Sequence, residues 1–298
     1  MAVPDVIVIG GGVTGLSAAH QVALRGARVT CLEADLFGGL VANVGVLEGF
    51  PAAAADSGAG LADALVVAAT DAGVDFVAEP ALAIDPAGGV VTTGSGTHRG
   101  GRLIIATGAR LRPLDVPGAA ELAGKGVSQC AFCDGGLYKN QEVVVVGGGD
   151  AALQEALHLA RFCAKVTVVH RGRRLRARRS YVERAANHQR LAFRWQTAIE
   201  EIEGDGGVEG VRVRNMADRA TEVIPCRAVF PFIGLEPNAD ILPAGVARDS
   251  RGFVETGPTL ETSLTGVFAA GAVRVGFPGQ LANALGDGTA AAIAALAS

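Results

Sequence analysis

One short pattern occurs twice in the chain: an apolar, β-branched run that ends directly in a glycine-rich turn. The first copy is Val6–Ile9 followed by Gly10–Gly15, and the second is Val143–Val146 followed by Gly147–Ala152. A helical apolar pattern follows each turn, so each copy predicts a buried strand, a tight turn and a helix. Parallel strands joined through helices form sheets that are covered on both faces. We therefore predict an α/β fold with two Rossmann-like, three-layer domains.

Length and composition agree with this architecture. At 298 residues the chain has the length expected of about two domains. Its 42 glycines and 5% aromatic content suit closely packed strand and helix units better than a β-sandwich. A further strand and glycine turn at Gly266–Ala272 precede a closing helix. We expect both to complete the first sheet, so that the second domain is inserted into the first.

The charge and hydropathy of the chain limit its partners. A net charge of −4 gives no overall attraction to nucleic acid or to an anionic membrane. The N-terminus lacks the basic segment of a secretory signal, and Asp287 interrupts the last apolar run before it reaches about 18 residues. We therefore expect a cytoplasmic protein with no nucleic-acid partner and no membrane partner.

The glycines of the first turn have separate functions. Gly10 permits the tight turn, Gly12 lets the backbone approach a pyrophosphate, and Gly15 lets the helix pack on the strand. The next strand, Arg28–Leu32, ends in Glu33, whose carboxylate is placed to bind ribose hydroxyls. The first domain is therefore predicted to bind a dinucleotide with an unphosphorylated ribose, as in FAD. A solvated charge at the strand end is the alternative for Glu33.

The second turn, which contains Gly147 and Gly149, leads to a different strand end. At the offset that gives Glu33 in the first copy, the second copy has a basic run. A carboxylate there would repel a 2′-phosphate, whereas five basic residues can bind one: His170, Arg171, Arg173, Arg174 and Arg176. The second domain is therefore predicted to bind NADPH. A solvated or RNA-binding arginine run is the alternative, although aromatic residues are scarce around it.

Two cysteines lie three positions apart between the two units. Cys130 and Cys133 are followed by Asp134 and two glycines. A cysteine at a helix start has its thiolate favoured by the helix dipole, so the pair predicts a redox-active dithiol. If a helix follows Cys130, we expect Cys133 to be the more enclosed sulfur. Half of a zinc site is the alternative, but zinc needs four ligands and the other cysteines are scattered: Cys31, Cys163 and Cys226.

Two dinucleotide units with this cysteine motif between them resemble the low-molecular-weight thioredoxin reductases over essentially the whole chain. The matching segments are Gly126–Ser128, Tyr138–Gln141, Gly147–Gly149, His170–Arg171, Phe268–Gly271 and Gln280. The resemblance implies a discontinuous FAD-binding domain at 1–112 and 238–298, and an NADPH-binding domain at 113–237 that carries the two cysteines. It also implies a homodimer and a rotation between the domains during turnover.

The resemblance further implies roles for individual residues. Cys133 is the flavin-side sulfur, Cys130 exchanges with substrate, and Asp134 is a general acid/base. The residues expected at FAD are Gly10, Gly12, Thr14, Gly15, Glu33, Gly39, Ala109, Gly271, Ala272, Gln280 and Leu281. Those expected at NADPH are Gly147, Gly149, Asp150, Ala151, His170, Arg171 and Arg176. The implied substrate is a thioredoxin-like protein or a small disulfide.

Four positions depart from the family pattern. Ala272 stands where the family usually has Asp, Leu40 where it has Gln, and Gly49 where it has Asn. These three lost groups would face the flavin, and an unpartnered buried hydroxyl costs about 1 to 3 kcal/mol, so we expect weaker flavin retention or a shifted potential. Gly172 replaces a usual arginine, and Arg173 is placed to compensate.

The motifs together predict an FAD-dependent NADPH:disulfide oxidoreductase in which electrons pass from NADPH to FAD, to Cys130 and Cys133, and then to a substrate disulfide. One alternative is a flavin-dependent dithiol oxidase that uses dioxygen and needs no nicotinamide. The intact second glycine turn and the arginine run count against it. The other alternative is a flavin-impaired paralogue that senses redox state, and the departures near the flavin are the reason to consider it.

Overall fold

The computed structural model describes residues 5–48, 50, 56–243 and 245–297 of the chain. The chain divides into two compact units, Met1–Arg110 with Glu236–Ser298, and Leu111–Leu235. Each unit contains a parallel sheet, and the second unit lies within the sequence of the first. The predicted fold class is thereby confirmed. Gly49, one of the four departures from the family pattern, lies outside the described residues.

The order strand, helix, strand that the repeated motif predicts occurs in each unit, as the bounds of the elements show. The strands of the described ranges are β1 (Val6–Ile9), β2 (Val29–Leu32), β3 (Asp75–Val77), β4 (Ala83–Asp85), β5 (Val90–Thr92), β6 (Thr97–Arg99), β7 (Arg102–Ile105), β8 (Ala109–Leu111), β9 (Glu142–Gly147), β10 (Lys165–His170), β11 (Leu191–Trp195), β12 (Thr197–Glu203), β13 (Gly210–Asn215), β14 (Thr221–Pro225), β15 (Ala228–Phe232), β16 (Leu235–Pro237) and β17 (Val267–Ala269). The α-helices are α1 (Val13–Leu24), α2 (Gly58–Asp71), α3 (Ala131–Asp134), α4 (Asp150–Leu159), α5 (Arg179–Ala186) and α6 (Leu281–Ala297). Short 3₁₀ helices occur at Gly39–Asn43, Gly135–Tyr138 and Gly271–Val273.

The described part of the first unit is built on a parallel sheet with the strand order β17-β7-β1-β2-β3. Val6 of β1 lies opposite Val29 of β2 and Arg102 of β7. Every residue of β1 and β2 is buried, as expected for strands with helices on both faces of the sheet. Strands β4, β5 and β6 form a separate antiparallel sheet.

The second unit repeats this plan. Its parallel sheet has the order β11-β10-β9-β15, and β12, β13 and β14 form an antiparallel sheet. The valines of β9 are buried, and α4 follows the glycine turn at its end. The two units are connected through β8 and β16, which pair with each other. No helix of the described ranges is long and apolar enough to cross a membrane.

Candidate functional site

The first glycine turn has the close packing that its glycines predict. Gly10 has a φ of +105°, and a Cβ placed there would lie 2.9 Å from the Thr107 Cα. A Cβ at Gly15 would overlap the Gly10 carbonyl. Gly12, by contrast, has open space, because the nearest atom to such a Cβ is the Gly38 oxygen at 3.8 Å. No side chain of the described residues caps α1, so its first N–H groups are available to an anion such as pyrophosphate.

Glu33 lies beside this turn. Its Oε2 accepts a hydrogen bond from the Gly11 backbone N–H at 2.6 Å, and its Oε1 accepts one from the Asp35 N–H at 3.0 Å. The two bonds hold the carboxylate at the end of β2. Gly39 opens a 3₁₀ helix with a φ of +62°, and a Cβ there would lie 3.2 Å from the Gly12 Cα. The structure therefore brings both predicted residues to the N-terminus of α1.

The end of β17 meets the same helix. Gly271 has a φ of +76°, and a Cβ there would lie 2.9 Å from the Thr14 Cβ. The Gly271 N–H donates to Asp287 Oδ2 at 2.9 Å, and Arg274 binds both Asp287 oxygens at 2.6 and 2.8 Å. Ala272 is half-buried in the following turn. The Asp287–Arg274 pair was not predicted as part of this site.

The remaining predicted residues of the first unit differ in their surroundings. Leu281 begins α6 and packs against a hydrophobic cluster that includes Val13 of α1. Gln280 precedes α6 and is exposed. Ala109 is buried at the start of β8. Leu40, the departure in the 3₁₀ helix that Gly39 opens, is 43% exposed, so its side chain does not belong to the core.

The two cysteines form a disulfide at the start of α3. Cys130 is the N-cap residue of this helix, and its sulfur accepts a hydrogen bond from the Cys133 N–H at 3.1 Å. The Cys130 N–H donates to Ser128 Oγ at 3.1 Å. A pair joined in this way is not available as a zinc ligand. Within the described ranges, no cluster of three or more His, Cys, Asp or Glu side chains is placed to hold a metal ion.

The exposure of the two sulfur-bearing residues is the reverse of our expectation. Cys133 is exposed and Cys130 is half-buried, so the prediction that Cys133 is the more enclosed cysteine is wrong for this structure. The reason is the orientation of α3. Ala131 is fully buried, and a residue two positions later lies on the opposite face of a helix. Cys133 is therefore directed away from the core.

Asp134 ends α3 close to a tyrosine. Burial raises the pKa of Tyr138, and the charge of Asp134 raises it further. Asp134 itself is half-buried, so its carboxyl lies within reach of solvent. The chain continues through Gly135, where a Cβ would lie only 2.8 Å from Leu159 Cδ2. Glycine at this position lets the segment after the disulfide pack directly on α4.

Two large apolar side chains are exposed beside the disulfide. Phe132, between the cysteines, is 52% exposed, and Leu137 is 74% exposed. The Phe132 ring lies against His158 of α4 at 5.5 Å between ring centres. Burial, followed by the charge of Arg161, lowers the pKa of His158, which favours the neutral form of the ring. Exposed apolar area therefore lies beside Cys133.

The second glycine turn resembles the first. Gly147 has a φ of +147°, and a Cβ there would lie 2.9 Å from the Ala152 Cβ. Gly149 is the N-cap residue of α4, and nothing lies within 4 Å of a Cβ placed on it. No described side chain caps α4, and Ala151 is exposed. This helix start is a second site where N–H groups can bind phosphate.

Asp150, the first residue of α4, forms an ion pair. Its Oδ2 lies 2.7 Å from Arg178 Nε, and its Oδ1 accepts a hydrogen bond from the Arg178 N–H at 2.7 Å. Arg178 also lies over the Tyr181 ring at 4.9 Å from its centre. The pair neutralises a carboxylate that would otherwise repel phosphate at this helix start. Arg178 was not among the predicted site residues, although the arginine run extends to it.

The basic run forms an exposed loop after β10. Three of its guanidinium groups are exposed and make no ion pair or hydrogen bond with the described residues: Arg171, Arg174 and Arg176. Arg173 is engaged, because its Nε donates to Gln196 Oε1 at 2.8 Å. His170 does not join this surface, since it is only 8% exposed. The structure therefore separates His170 from the arginines with which the sequence grouped it.

Comparisons with known proteins agree with this arrangement. The pyridine nucleotide-disulphide oxidoreductase family matches residues 4–288. A thioredoxin reductase of Treponema pallidum is 37% identical over 294 residues, which cover 98% of this chain and 95% of that protein. A thioredoxin reductase of Listeria monocytogenes is 36% identical over 288 residues, which cover 95% of this chain and 90% of that protein. The crystal structure of Lactococcus lactis thioredoxin reductase in the FR conformation matches with a TM-score of 0.95 and 33% identity, over 99% of this chain and 98% of that chain.

Proposed function

The chain belongs to the pyridine nucleotide-disulphide oxidoreductase family, within its bacterial-type thioredoxin reductases, and we propose that it reduces a thioredoxin-like protein or a small disulfide with electrons from NADPH through FAD. The observation that carries the proposal is the Cys130–Cys133 disulfide at the start of α3. The starts of α1 and α4, one in each unit and neither capped by a side chain of the described residues, supply the dinucleotide sites.

The first unit has the groups that FAD needs. The free N–H groups of α1 fit a pyrophosphate, and the open space at Gly12 lets that group approach the backbone. Glu33, held at the turn, would accept hydrogen bonds from a ribose diol. Gly39 and Gly271 border the same helix start. The departure at Ala272 removes one hydrogen-bonding group, so we expect FAD to bind through the remaining contacts and to dissociate more easily.

The second unit has the groups that NADPH needs. The α4 start at Gly149 fits the pyrophosphate, since no side chain of the described residues caps it. Arg171 and Arg176 are exposed and available for the 2′-phosphate that distinguishes NADPH from NADH. A charge-assisted bond of this kind contributes about 1.5 to 3 kcal/mol. The ion pair of Asp150 with Arg178 keeps the local charge favourable to an anion.

The chain itself performs the exchange chemistry. When bound, FAD supplies the two-electron carrier between nicotinamide and the disulfide. The disulfide takes up two electrons and two protons and becomes two thiols. One thiolate then attacks the substrate disulfide, which gives a mixed disulfide and releases one substrate thiol; the other thiolate attacks the mixed disulfide, releases the second substrate thiol and restores the Cys130–Cys133 bond. We propose that Asp134, which is half-buried and follows Cys133 directly, accepts the proton when a thiol becomes a thiolate and returns it to a departing thiolate.

The exposed surface around the disulfide fits a protein substrate. Phe132 and Leu137 offer apolar area next to an exposed Cys133, and such area favours docking of a partner with an apolar rim around its own disulfide. The resemblance gives the exchange role to Cys130, whereas the exposure of Cys133 favours attack by that sulfur. We also propose that the protein is a homodimer. Sedimentation velocity would measure its mass in solution and so test this.

The experiment is anaerobic reduction of the FAD-loaded protein by NADPH, followed by addition of an oxidised thioredoxin. We expect NADPH to bleach the flavin absorbance and thioredoxin to restore it. Cys130→Ser and Cys133→Ser should both keep the first step and lose the second, because hydride uptake does not need the dithiol. A protein that binds no FAD, or whose flavin is reduced by a dithiol and reoxidised only by dioxygen, would contradict the proposal.

The two variants also assign the sulfur roles. Each is reduced and then mixed with 5,5′-dithiobis(2-nitrobenzoate), a small disulfide whose release of thiolate is followed by absorbance. The cysteine that reacts faster is the one placed to meet substrate. A faster reaction of Cys130→Ser, which retains Cys133, supports the order that exposure favours, and a faster reaction of Cys133→Ser supports the order that the resemblance implies.

A further inference from the structure

His170 occupies a closed position inside the second unit. It ends β10 and is only 8% exposed, although arginines follow it directly. Its ring lies between two glycines: a Cβ at Gly148 would overlap the ring, and a Cβ at Gly172 would lie 2.7 Å from its Nε2. The ring also lies nearly perpendicular to that of Trp195, at 6.2 Å between ring centres. Backbone and an aromatic ring therefore surround the imidazole.

The His170 ring forms a hydrogen bond with the loop of residues 171–176, and the direction of this bond is defined. His170 Nε2 lies 3.0 Å from the Arg174 carbonyl oxygen. A carbonyl only accepts, so Nε2 carries the proton and donates it. The loop closes around the ring through a second bond, from the Arg176 N–H to the Gly148 oxygen at 2.7 Å. The backbone of residues 171–176 thus winds around a buried imidazole.

We propose that His170 is a positioning residue for nucleotide selectivity and does not itself contact the 2′-phosphate. Its ring holds the loop so that Arg171, Arg174 and Arg176 stay exposed on one segment. The inference rests on the proposed use of NADPH. It assigns the discrimination between NADPH and NADH to the three free arginines, with the imidazole acting through the Arg174 carbonyl. A phosphate ligand would need a ring exposed to the nucleotide, and this ring is enclosed.

Gly172, which departs from the family pattern, lies against the same ring. A side chain at position 172 would begin 2.7 Å from the imidazole, which is closer than real Cβ contacts come, so an arginine there requires the ring or the loop to move. Gly172 also accepts a hydrogen bond from the Gln196 N–H at 3.2 Å, and Gln196 in turn binds Arg173. The Nε of Arg173 is therefore engaged with Gln196, which distinguishes Arg173 from the three arginines whose guanidinium groups make no bond to the described residues.

The test is calorimetric titration of the FAD-loaded protein with NADP⁺ and with NAD⁺, compared as a ratio of dissociation constants. His170→Ala should lower the preference for NADP⁺ by at least ~10-fold, because one charge-assisted contact is worth about that much. His170→Gln should keep the preference within about 3-fold of the wild type, since its amide can donate from the position of Nε2. A general loosening of the fold would weaken the binding of both nucleotides equally. It would leave the ratio of the two dissociation constants unchanged.

A double-mutant cycle supplies the second arm. Gly172→Ala should lower the NADP⁺ preference in the wild type but not in the His170→Ala background, where the ring is gone. Gly207→Ala is the control in the same unit, because a Cβ there meets only the Lys125 oxygen at 3.5 Å. The inference is overturned if His170→Gln loses as much of the NADP⁺ preference as His170→Ala. It is also overturned if Gly172→Ala lowers that preference by the same factor with and without the His170 ring.

The nitrogen signals of His170 provide a readout that needs no nucleotide. In the nucleotide-free protein the ring should carry a proton on Nε2, as its hydrogen bond to the Arg174 oxygen requires. Finding the proton on Nδ1 would contradict the hydrogen bond to Arg174 and with it the inference. Failure of the wild type to bind either nucleotide while the Nε2 tautomer is present would instead contradict the proposed function.

Discussion

Three cysteines outside the disulfide are buried, and burial changes their chemistry. It raises the pKa of Cys163 to about 11, against a smaller opposing effect of the nearby Arg190 charge. Burial raises the pKa of Cys226 to about 12, and Glu142 adds to the shift. The pKa of Cys31 is also raised by burial. A thiol whose pKa lies far above the solution pH is protonated and is a poor nucleophile.

We therefore expect selective alkylation of the reduced protein at pH 8. Iodoacetamide should label Cys130 and Cys133 in the folded state, because both are at least partly accessible, and should leave the three buried cysteines unlabelled. Peptide mass spectrometry identifies the sites, and the same reaction in urea, where all five cysteines become accessible, is the control. Labelling of Cys163 in the folded protein as fast as Cys133 would show that burial does not protect it.

At the scale of single residues, the sequence predicted the groups whose role depends on local geometry. Gly15 is required by its contact with the Gly10 carbonyl within one strand, turn and helix, so the spacing of the two glycines was enough to predict it. Asp287 was noticed only as a charge in an apolar run, yet it joins α6 to Gly271 and to Arg274. Such contacts depend on how distant segments pack, and a lone acid in an apolar helix is the only local signal for them.

Secondary structure elements, too, were predictable only where the local sequence determines them. The apolar runs of β1 and β9 were predictable because buried parallel strands are apolar at every position. β12 and β14 were not predicted: β14 is mostly exposed, and a register shift between Ile199 and Glu201 interrupts the pairing of β12. The turn of α3 was expected, but the face that it buries depends on Ala131 contacting the core of the second unit.

The packing of α6 on α1 gives a prediction at this scale. The Ser17 Oγ–H of α1 donates to the Leu285 oxygen of α6 at 2.8 Å. A Cβ at Gly288 would lie 2.9 Å from both the Ala18 nitrogen and the Ser17 Cβ, whereas nothing lies within 4 Å of one at Gly286. Gly288→Ala should lower the free energy of unfolding by about 1 to 3 kcal/mol through overpacking.

The matched control lies in the same helix. Gly286→Ala should raise the free energy of unfolding by about 0.5 to 1 kcal/mol, since alanine favours a helix over glycine and has room at this position. Urea unfolding of the FAD-loaded variants measures both changes. Equal effects of the two substitutions would mean that helix propensity decides the outcome, and the close approach of α1 and α6 would be refuted.

Within the described parts of the molecule, the buried hydrophobic residues form separate cores. The buried clusters around Phe268, Ile105 and Val41 draw only on residues of the first unit, and those around Phe230 and Val211 draw only on residues of the second. Each unit therefore has its own hydrophobic source of stability. The proposed ligands are divided in the same way, with FAD bound by groups of the first unit and NADP⁺ by groups of the second.

We expect two separable unfolding transitions in calorimetry, one for each unit. Phe268→Ala should lower only the first unit's transition and Phe230→Ala only the second's, because removing a buried phenylalanine costs about 3 to 5 kcal/mol in its own core. Added ligand acts in the opposite direction: at about 100 times its dissociation constant it stabilises its own unit by about 2.7 kcal/mol. FAD should therefore raise the temperature of the transition that Phe268→Ala shifts down. NADP⁺ should raise the temperature of the transition that Phe230→Ala shifts down. A single transition that both substitutions and both ligands shift together would show that the units unfold cooperatively despite their separate cores.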